Sequence, residues 1–484
     1  MEKLNLNPQL VFDFFAEICK IPHGSKNEAQ ISRFLQDFGN RLGLVTIADE
    51  LGNVLIKKPA TAGYENRKTV ILQSHMDMVC DKRKDVEHDF LTDPIRLVVD
   101  GDWLKADGTT LGADNGIGVA AAMAVLADDT LVHGPVNCLF TIDEETGLTG
   151  AQALNGDMLD GDILLNLDSE DEGEIFIGCA GGVCTYADYR FIWERIAGDM
   201  FYMRADISNL VGGHSGDDIN KGRANANKLL NRFLCRIAEK YEFYLCDISG
   251  GSMHNVIPRE ASAVFAVQSS DKESIRVEFN IFAAEVRNEF ATTEPDMKLV
   301  LQSTDPVSRV IDKDTTSKLL KSLHALYNGV YAMSQDVEGL VETSSNFASV
   351  RVEDNTVKVV TSQRSSIESA RDDIAATVSA AFALGGAKVV TKGHYPGWKP
   401  NVNSQILKVA CEQHKQLFGV DAKIKAIHAG LECGLFLEKA PHLDMISFGP
   451  TMRGVHSPDE RLSIASTERF WHHLVAILAN VPEK

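Results

Sequence analysis

The sequence predicts a doubly wound α/β domain interrupted by an inserted α+β domain. Three observations carry that reading. At 484 residues the chain has room for two or three domains of roughly 150 residues each. Near both ends, short apolar runs bounded by turn or polar residues alternate with helical patterns, as in an α/β sheet. Between the two ends the pattern changes to longer, two-faced strands and helices.

Taken in order, the first helix places Leu10, Val11, Phe14, Phe15 and Ile18 on one face. Ser25-Lys26-Asn27-Glu28 reads as a capping box opening a second helix, which runs to about Leu42 and stops at Gly43. Runs 69–74, 136–142 and 162–167 read as buried strands, and 116–127, after a glycine-rich loop, as a helix. Near residue 187 the character shifts. A helix over about 221–240 turns Ala226, Leu229, Leu230, Phe233 and Ile237 inward. Segments 341–352 and 356–361 form a hairpin across Glu353-Asp354-Asn355, followed by a helix over about 366–384. After Pro396 the α/β pattern resumes, with a strand at 443–448 and a last helix burying Phe470, Leu474, Ile477 and Leu478. The expected division is therefore 1–186 with 391–484, and 187–390 as the insert.

Composition excludes several classes. Lys+Arg 48 against Asp+Glu 68 gives a net charge of −20, a field that repels phosphate backbones and anionic lipid, so neither nucleic acid nor a membrane is an expected partner. No window approaches the ~20 uncharged apolar residues of a membrane span. The opening MEKLNLNPQLVFDFF carries acids too early for a signal peptide. Nine cysteines, odd in number and without a CxxC, suit the reduced cytoplasm.

Five segments carry chemistry: Ser74-His75-Met76-Asp77, Gly112-Ala113-Asp114-Asn115-Gly116, Asp143-Glu144-Glu145-Thr146-Gly147, Asn166-Leu167-Asp168-Ser169-Glu170 and Gly454-Val455-His456-Ser457-Pro458. Each falls at or beyond the C-terminal end of an expected strand, or in the loop opening the 116–127 helix, where open α/β sheets bind ligands. Imidazole and carboxylate without thiolate suit zinc, manganese or cobalt. His75, His456, Asp114, Asp168 and Glu145 suffice for two ions sharing one carboxylate, and three carboxylates with a hydroxide neutralise two divalent charges. Such a pair activates water and stabilises a tetrahedral oxyanion. Singly, a His or Asp at a strand end is usually a cap or turn former; the weight lies in five such segments at one sheet edge. Other motifs fare worse. Gly212-Gly213-His214-Ser215-Gly216 has His where a nucleophile elbow needs Ser. Gly112–Gly118 lacks the Lys-Ser/Thr of a phosphate loop, and Cys433 reads as a small buried thiol. His472 and His473 are expected to be structural or surface residues.

These motifs, in this order, resemble those of the di-zinc metallopeptidases related to carboxypeptidase G and aminoacylase, and within that family the cytosolic dipeptidase branch. The resemblance extends over essentially the whole chain, including His254-Asn255-Val256-Ile257-Pro258. It implies that Asp114 bridges two zinc ions (manganese or cobalt being the alternatives), with His75 and Asp168 completing one site and Glu145 and His456 the other. Asp77 would orient His75, and Glu144 would be the general base. Where some relatives carry Glu this chain has Asp168, and the resemblance associates that Asp with the peptidase and aminopeptidase branches. The insert would be a lid and dimerisation domain, with His214 steadying the oxyanion, Arg364 clamping the substrate carboxylate, and Asn255 contacting substrate. The implied protein is a cytoplasmic homodimer hydrolysing short L-dipeptides, Xaa-His such as β-alanyl-histidine among them. An N-acyl-amino-acid amidohydrolase and a non-catalytic metal-binding scaffold are the alternatives; an acidic glycosidase leaves both histidines unexplained.

Overall fold

The computed structural model describes residues 4–484. The chain divides into two compact units: residues 1–178, 400–426 and 431–484 form the first, and 179–399 with 427–430 the second. The expected boundary at 186/187 falls inside the strand Gly181–Arg190, which belongs to the sheet of the second unit. The sequence boundary follows a change in hydrophobic pattern, whereas the sheet begins where Cys179 and Trp398 exchange main-chain hydrogen bonds.

The first unit is built on an eight-stranded sheet. Its strands are β1 (Val45–Ala48), β2 (Val54–Lys58), β3 (Val70–His75), β4 (Val136–Thr141), β5 (Ile163–Asn166), β6 (Glu174–Cys179), β7 (Lys423–Ile427) and β8 (Asp444–Ser447). They lie in the order β1-β2-β4-β3-β5-β8-β6-β7. The central four are mutually parallel, while β1, β2 and β6 join antiparallel. Burial explains the continuous apolar runs: every residue of β3, β4 and β5 is buried, as expected of parallel strands covered on both faces. Val70, Ile71 and Leu72 are at most 1% exposed, and each such side chain contributes about 1.5–3 kcal/mol by leaving water. The helix Ala113–Ala127 is buried on almost every side, so its sequence is apolar all round rather than striped. Gly118 lets it approach the strand ends: a Cβ there would lie 2.7 Å from Ser74 Oγ and 2.9 Å from the Leu167 carbonyl.

The second unit is an α+β domain. Its antiparallel sheet has the strand order 298–303, 200–208, 261–268, 243–250, 341–353, 356–365, 181–190, 388–395. The helices Ala226–Ala238, Lys272–Glu289, Lys313–Ala325 and Glu368–Leu384 pack on it around a core containing Phe233, Phe265, Phe282, Phe347 and Phe382. The expected hairpin and its following helix are present. The helix expected from 221 begins at Ala226, because the Asn225 side chain accepts the Lys228 amide and caps it there. Among the described residues, no helix is long and apolar enough to cross a membrane.

Candidate active site

Four parallel strands of the first unit end at one edge of the sheet. His75 is the last residue of β3, and β4 runs out through Thr141 into Asp143, Glu144 and Glu145. β5 stops two residues before Asp168, and the chain beyond β8 brings back His456. Asp114 enters from the turn opening the helix Ala113–Ala127.

The side chains converge. His75 Nε2 lies 3.1 Å from Asp114 Oδ1 and 3.4 Å from Asp168 Oδ1. His456 Nε2 lies 3.1 Å from Asp114 Oδ2 and 3.0 Å from Glu145 Oε2. The two oxygens of one carboxylate therefore face two different imidazoles, and the Nε2 of each imidazole faces one further carboxylate. The five residues resolve into two sets, His75 with Asp168 and His456 with Glu145, sharing Asp114. All donors are imidazole nitrogen or carboxylate oxygen, and the buried Glu145 Oε1 finds no hydrogen-bond partner among the described residues. This donor set fits two divalent cations.

The sequence matches the model of Peptidase family M20/M25/M40 over residues 71–480. The chain belongs to this family. It is 43% identical over 483 residues to the cytosol non-specific dipeptidase of Escherichia coli, covering 100% of both chains. Its structure superposes on that of aminoacylhistidine dipeptidase from Vibrio alginolyticus with a TM-score of 0.94 at 42% identity, covering 100% of this chain and 99% of the other. The aminopeptidase PepT of Bacillus cereus shares the fold at a TM-score of 0.59 and 17% identity, over 98% and 99% of the two chains. The motif resemblance thus identified the family, and the α/β plus α+β architecture is that of M20 peptidases.

Electrostatics in this M20 site favour cations. Burial pushes the Asp168 carboxyl up to about 6, against the pull of His75 and with the help of Asp114. Glu170 is pushed to about 7, first by burial and then by Asp114 and Asp168. Glu144 is driven well above the carboxylate range by burial, with Asp168, Glu432 and Glu145 adding to it against His75. Asp114 goes the other way: hydrogen bonds from His456 and His75 outweigh its burial. Hydrogen bonds to Asp114 and Glu145 hold His456 protonated up to about 11. Crowded acids that would otherwise take up protons are what a pair of divalent charges relieves.

A second layer fixes the first. Asp77 Oδ1 accepts the Glu144 amide at 3.0 Å, and its Oδ2 accepts the Glu145 amide at 3.3 Å and the Ser25 hydroxyl at 2.8 Å. His75 Nδ1 is nearer the Asp77 carbonyl, at 3.0 Å, than its carboxylate, at 3.4 Å, so main chain and side chain share the orienting of the ring. Asn115 Nδ2 donates to Asp168. Glu28 accepts the Asp143 amide at 3.1 Å. Asp143 and His456 sit at φ of 49° and 61°, strained values for non-glycine residues that surrounding contacts must hold; the hydroxyls of Thr146 and Thr149 anchor the Asp143 carboxylate. Beside this cluster, Glu432 Oε2 accepts from Gln73 Nε2 at 2.6 Å and from the Thr141 hydroxyl at 3.0 Å. Asn166 donates to Gln73 Oε1 at 2.5 Å. Gln73 stands two residues before His75 on the same face of β3, and Asn166 ends β5 two residues before Asp168, so the network ties β3 to β5 near both side chains.

The remaining expected residues lie in the second unit. Arg364 Nη2 is 3.4 Å from His214 Nε2, and its Nη1 donates to the Tyr395 hydroxyl at 3.0 Å. Arg364 is 5% exposed, its Nε has no partner, and no described carboxylate pairs with it. A buried guanidinium without a counterion is costly unless an anion arrives. Asn255 lies in the turn before the strand Val256–Ile257, whose Val256 pairs with His214; the Asn255 carbonyl accepts the Ser215 amide at 2.8 Å. His428 Nε2 is 2.7 Å from Ser344 Oγ, and burial with nearby Arg364 lowers its pKa to about 3, so the ring is neutral. Tyr395, His428, Ser344, Glu432 and Glu460 were not singled out from the sequence. The signal was there for one, since Glu460 closes the run Val455-His456-Ser457-Pro458-Asp459-Glu460. Cys433 is fully buried, consistent with a packing role.

Proposed function

We propose that this M20 peptidase hydrolyses short L-dipeptides, Xaa-His such as β-alanyl-histidine among them, as a cytosolic homodimer with two zinc ions per subunit. Full-length likeness to the Escherichia coli cytosol non-specific dipeptidase carries the substrate class, and the division of five ligands around Asp114 supports two ions. Bound divalent ions supply Lewis-acid polarisation of the scissile carbonyl and a lowered pKa of the attacking water. Glu144 takes the proton from that water and passes it to the leaving amine nitrogen. Asp77 holds the ring of His75 and the amides of Glu144 and Glu145 in place. Arg364 pairs with the substrate carboxylate as a bidentate donor, His214 donates to the developing oxyanion, and Asn255 contacts the substrate main chain. The insert serves as lid and dimerisation domain.

A dipeptide panel run beside N-acetyl amino acids, with metal counted per subunit before and after chelation, tests this reading. Dipeptides should turn over and N-acetyl amino acids should not; the reverse ranking would make the protein an amidohydrolase, and no turnover with metals bound would make it a scaffold. Chelation should abolish activity while the far-UV spectrum stays nearly native, because the proposed ligands sit at strand ends and turns along the edge of a sheet whose core is apolar and lies elsewhere. Unfolding on chelation would contradict that layout.

Arg364→Met should lower kcat/KM for dipeptides by about 10–100-fold, as expected for loss of a charge-assisted hydrogen-bonded pair worth ~1.5–3 kcal/mol. Metal content should not change. Wild-type enzyme should discriminate against dipeptide C-terminal amides, and the variant should lose that discrimination. Retained discrimination would remove Arg364 from carboxylate recognition.

A further inference from the structure

His456 and Glu460 share one hairpin loop. The strand Met452–Arg453 pairs with Arg461–Ser463, and the latter pairs in turn with Trp103–Ala106, where Leu462 faces Leu104, both fully buried. The loop between is internally braced. Ser457 Oγ donates to the Gly454 carbonyl at 2.7 Å, and the Glu460 amide donates to the Ser457 carbonyl at 3.0 Å. Gly454 sits at φ +69°, and a Cβ there would lie 2.8 Å from the Asp459 carbonyl. The Glu460 side chain leaves this loop and is 3% exposed.

Its carboxylate takes four consecutive main-chain amides. Oε2 accepts those of Leu111 at 2.7 Å and Gly112 at 3.1 Å; Oε1 accepts those of Ala113 at 2.8 Å and Asp114 at 3.3 Å. Such convergence requires the chain to curl, which Gly112 permits at φ +71°, in the left-handed region. The result is a concave row of N–H groups closed by one anion. One end of this contact is the loop that carries His456, and the other is the turn that carries Asp114, whose Oδ2 lies 3.1 Å from His456 Nε2. Among the described residues, no other side chain accepts hydrogen bonds from the amides of Leu111, Gly112, Ala113 and Asp114, so the Glu460 carboxylate is the side-chain tie between the two loops at this turn.

We propose that Glu460 is a positioning residue that sets the separation of Asp114 from His456 and thereby the affinity of the metal set formed by Asp114, Glu145 and His456. The inference rests on the two-metal reading above. A glutamine at 460 is isosteric, but its amide group would present N–H donors to two of the four N–H groups, leaving those buried amides without acceptors. The loops would part at Asp114 while the apolar anchoring of both strands stays intact.

The test uses the metal-free full-length protein, with zinc as the probe, titrated against a competing chelator. In Glu460→Gln the first ion should bind as in wild type, while the second binds about 10–100-fold more weakly, the range seen when groups that orient metal ligands are removed. Glu460→Asp, which keeps the charge on a shorter arm, should recover part of the loss. Metal-free far-UV spectra and melting curves are recorded for each variant; if Glu460→Gln does not fold, Glu460→Asp alone must show the selective weakening of the second ion. Wild-type affinities for both ions in a folded variant, or equal weakening of both, would overturn the proposal. Wild-type protein binding one ion or none would instead refute the two-metal reading itself, which keeps the two failures apart.

Discussion

Glu144→Gln is expected to keep both ions and the affinity for substrate while turnover falls by about 10²–10⁴-fold, the usual loss on removing a general base. That corresponds to about 2.7–5.5 kcal/mol of transition-state stabilisation. The substitution preserves size and leaves the backbone anchored, because the Glu144 amide donates to Asp77 Oδ1 at 3.0 Å whatever the side chain. What it removes is the ability to take up a proton. Glu145→Gln should behave differently. Glu145 Oε2 lies 3.0 Å from His456 Nε2, and weakening that oxygen as a ligand should show as fewer ions per subunit, with activity recovering at high metal concentration. Measuring kcat, KM and metal content on both variants separates the roles. Lost metal in Glu144→Gln with full occupancy in Glu145→Gln would exchange base and ligand between the neighbours.

The parts of this site that were legible in the sequence share one property: each lies at the end of an apolar strand or at a glycine-rich turn, where local pattern alone fixes position. His75, Glu144, Glu145 and Asp168 could be placed because β3, β4 and β5 are uniformly buried and their ends are sharp. Local pattern fails where a tertiary partner outcompetes a neighbour. Ser25 and Glu28 have capping-box spacing, yet the helix starts at Ala29 with no side-chain cap. The Ser25 hydroxyl goes instead to Asp77 at 2.8 Å, and Glu28 accepts the amides of Lys26 at 2.7 Å and Asp143 at 3.1 Å. A helix cap worth about 1 kcal/mol is given up so that the turn bearing Glu144 is braced. Glu460 and Glu432 escaped notice for a related reason. Their partners lie hundreds of residues away in sequence, and nothing in a single acidic side chain announces which distant amides it will close. Likewise, Tyr395 reaches Arg364 only because Gly182 and Gly430 leave room for its ring, a complementarity between three separated segments.

His214→Ala should cut turnover by roughly 10²–10³-fold with little change in metal content, because losing one oxyanion donor costs ~2.7–4 kcal/mol and no metal ligand is touched. The geometry of the second unit supports a presenting role. Asp217 holds His214 Nδ1, with its amide 3.2 Å and its carboxylate 3.3 Å away, which leaves Nε2 as the nitrogen directed toward Arg364. Imidazole and guanidinium are thus delivered together, one suited to an oxyanion and the other to a carboxylate. Whether they serve their own subunit or the partner's is decided by mixing. A Glu144→Gln chain and a His214→Ala chain, each inactive alone, are combined under conditions that exchange subunits. If the histidine acts across a twofold dimer, the heterodimer has one site with both an intact Glu144 and an intact His214, and activity returns to about half the wild-type value per heterodimer. With exchange confirmed by mass, the absence of recovery would place His214 in its own subunit's reaction, since each mixed dimer would then carry one defect in every site.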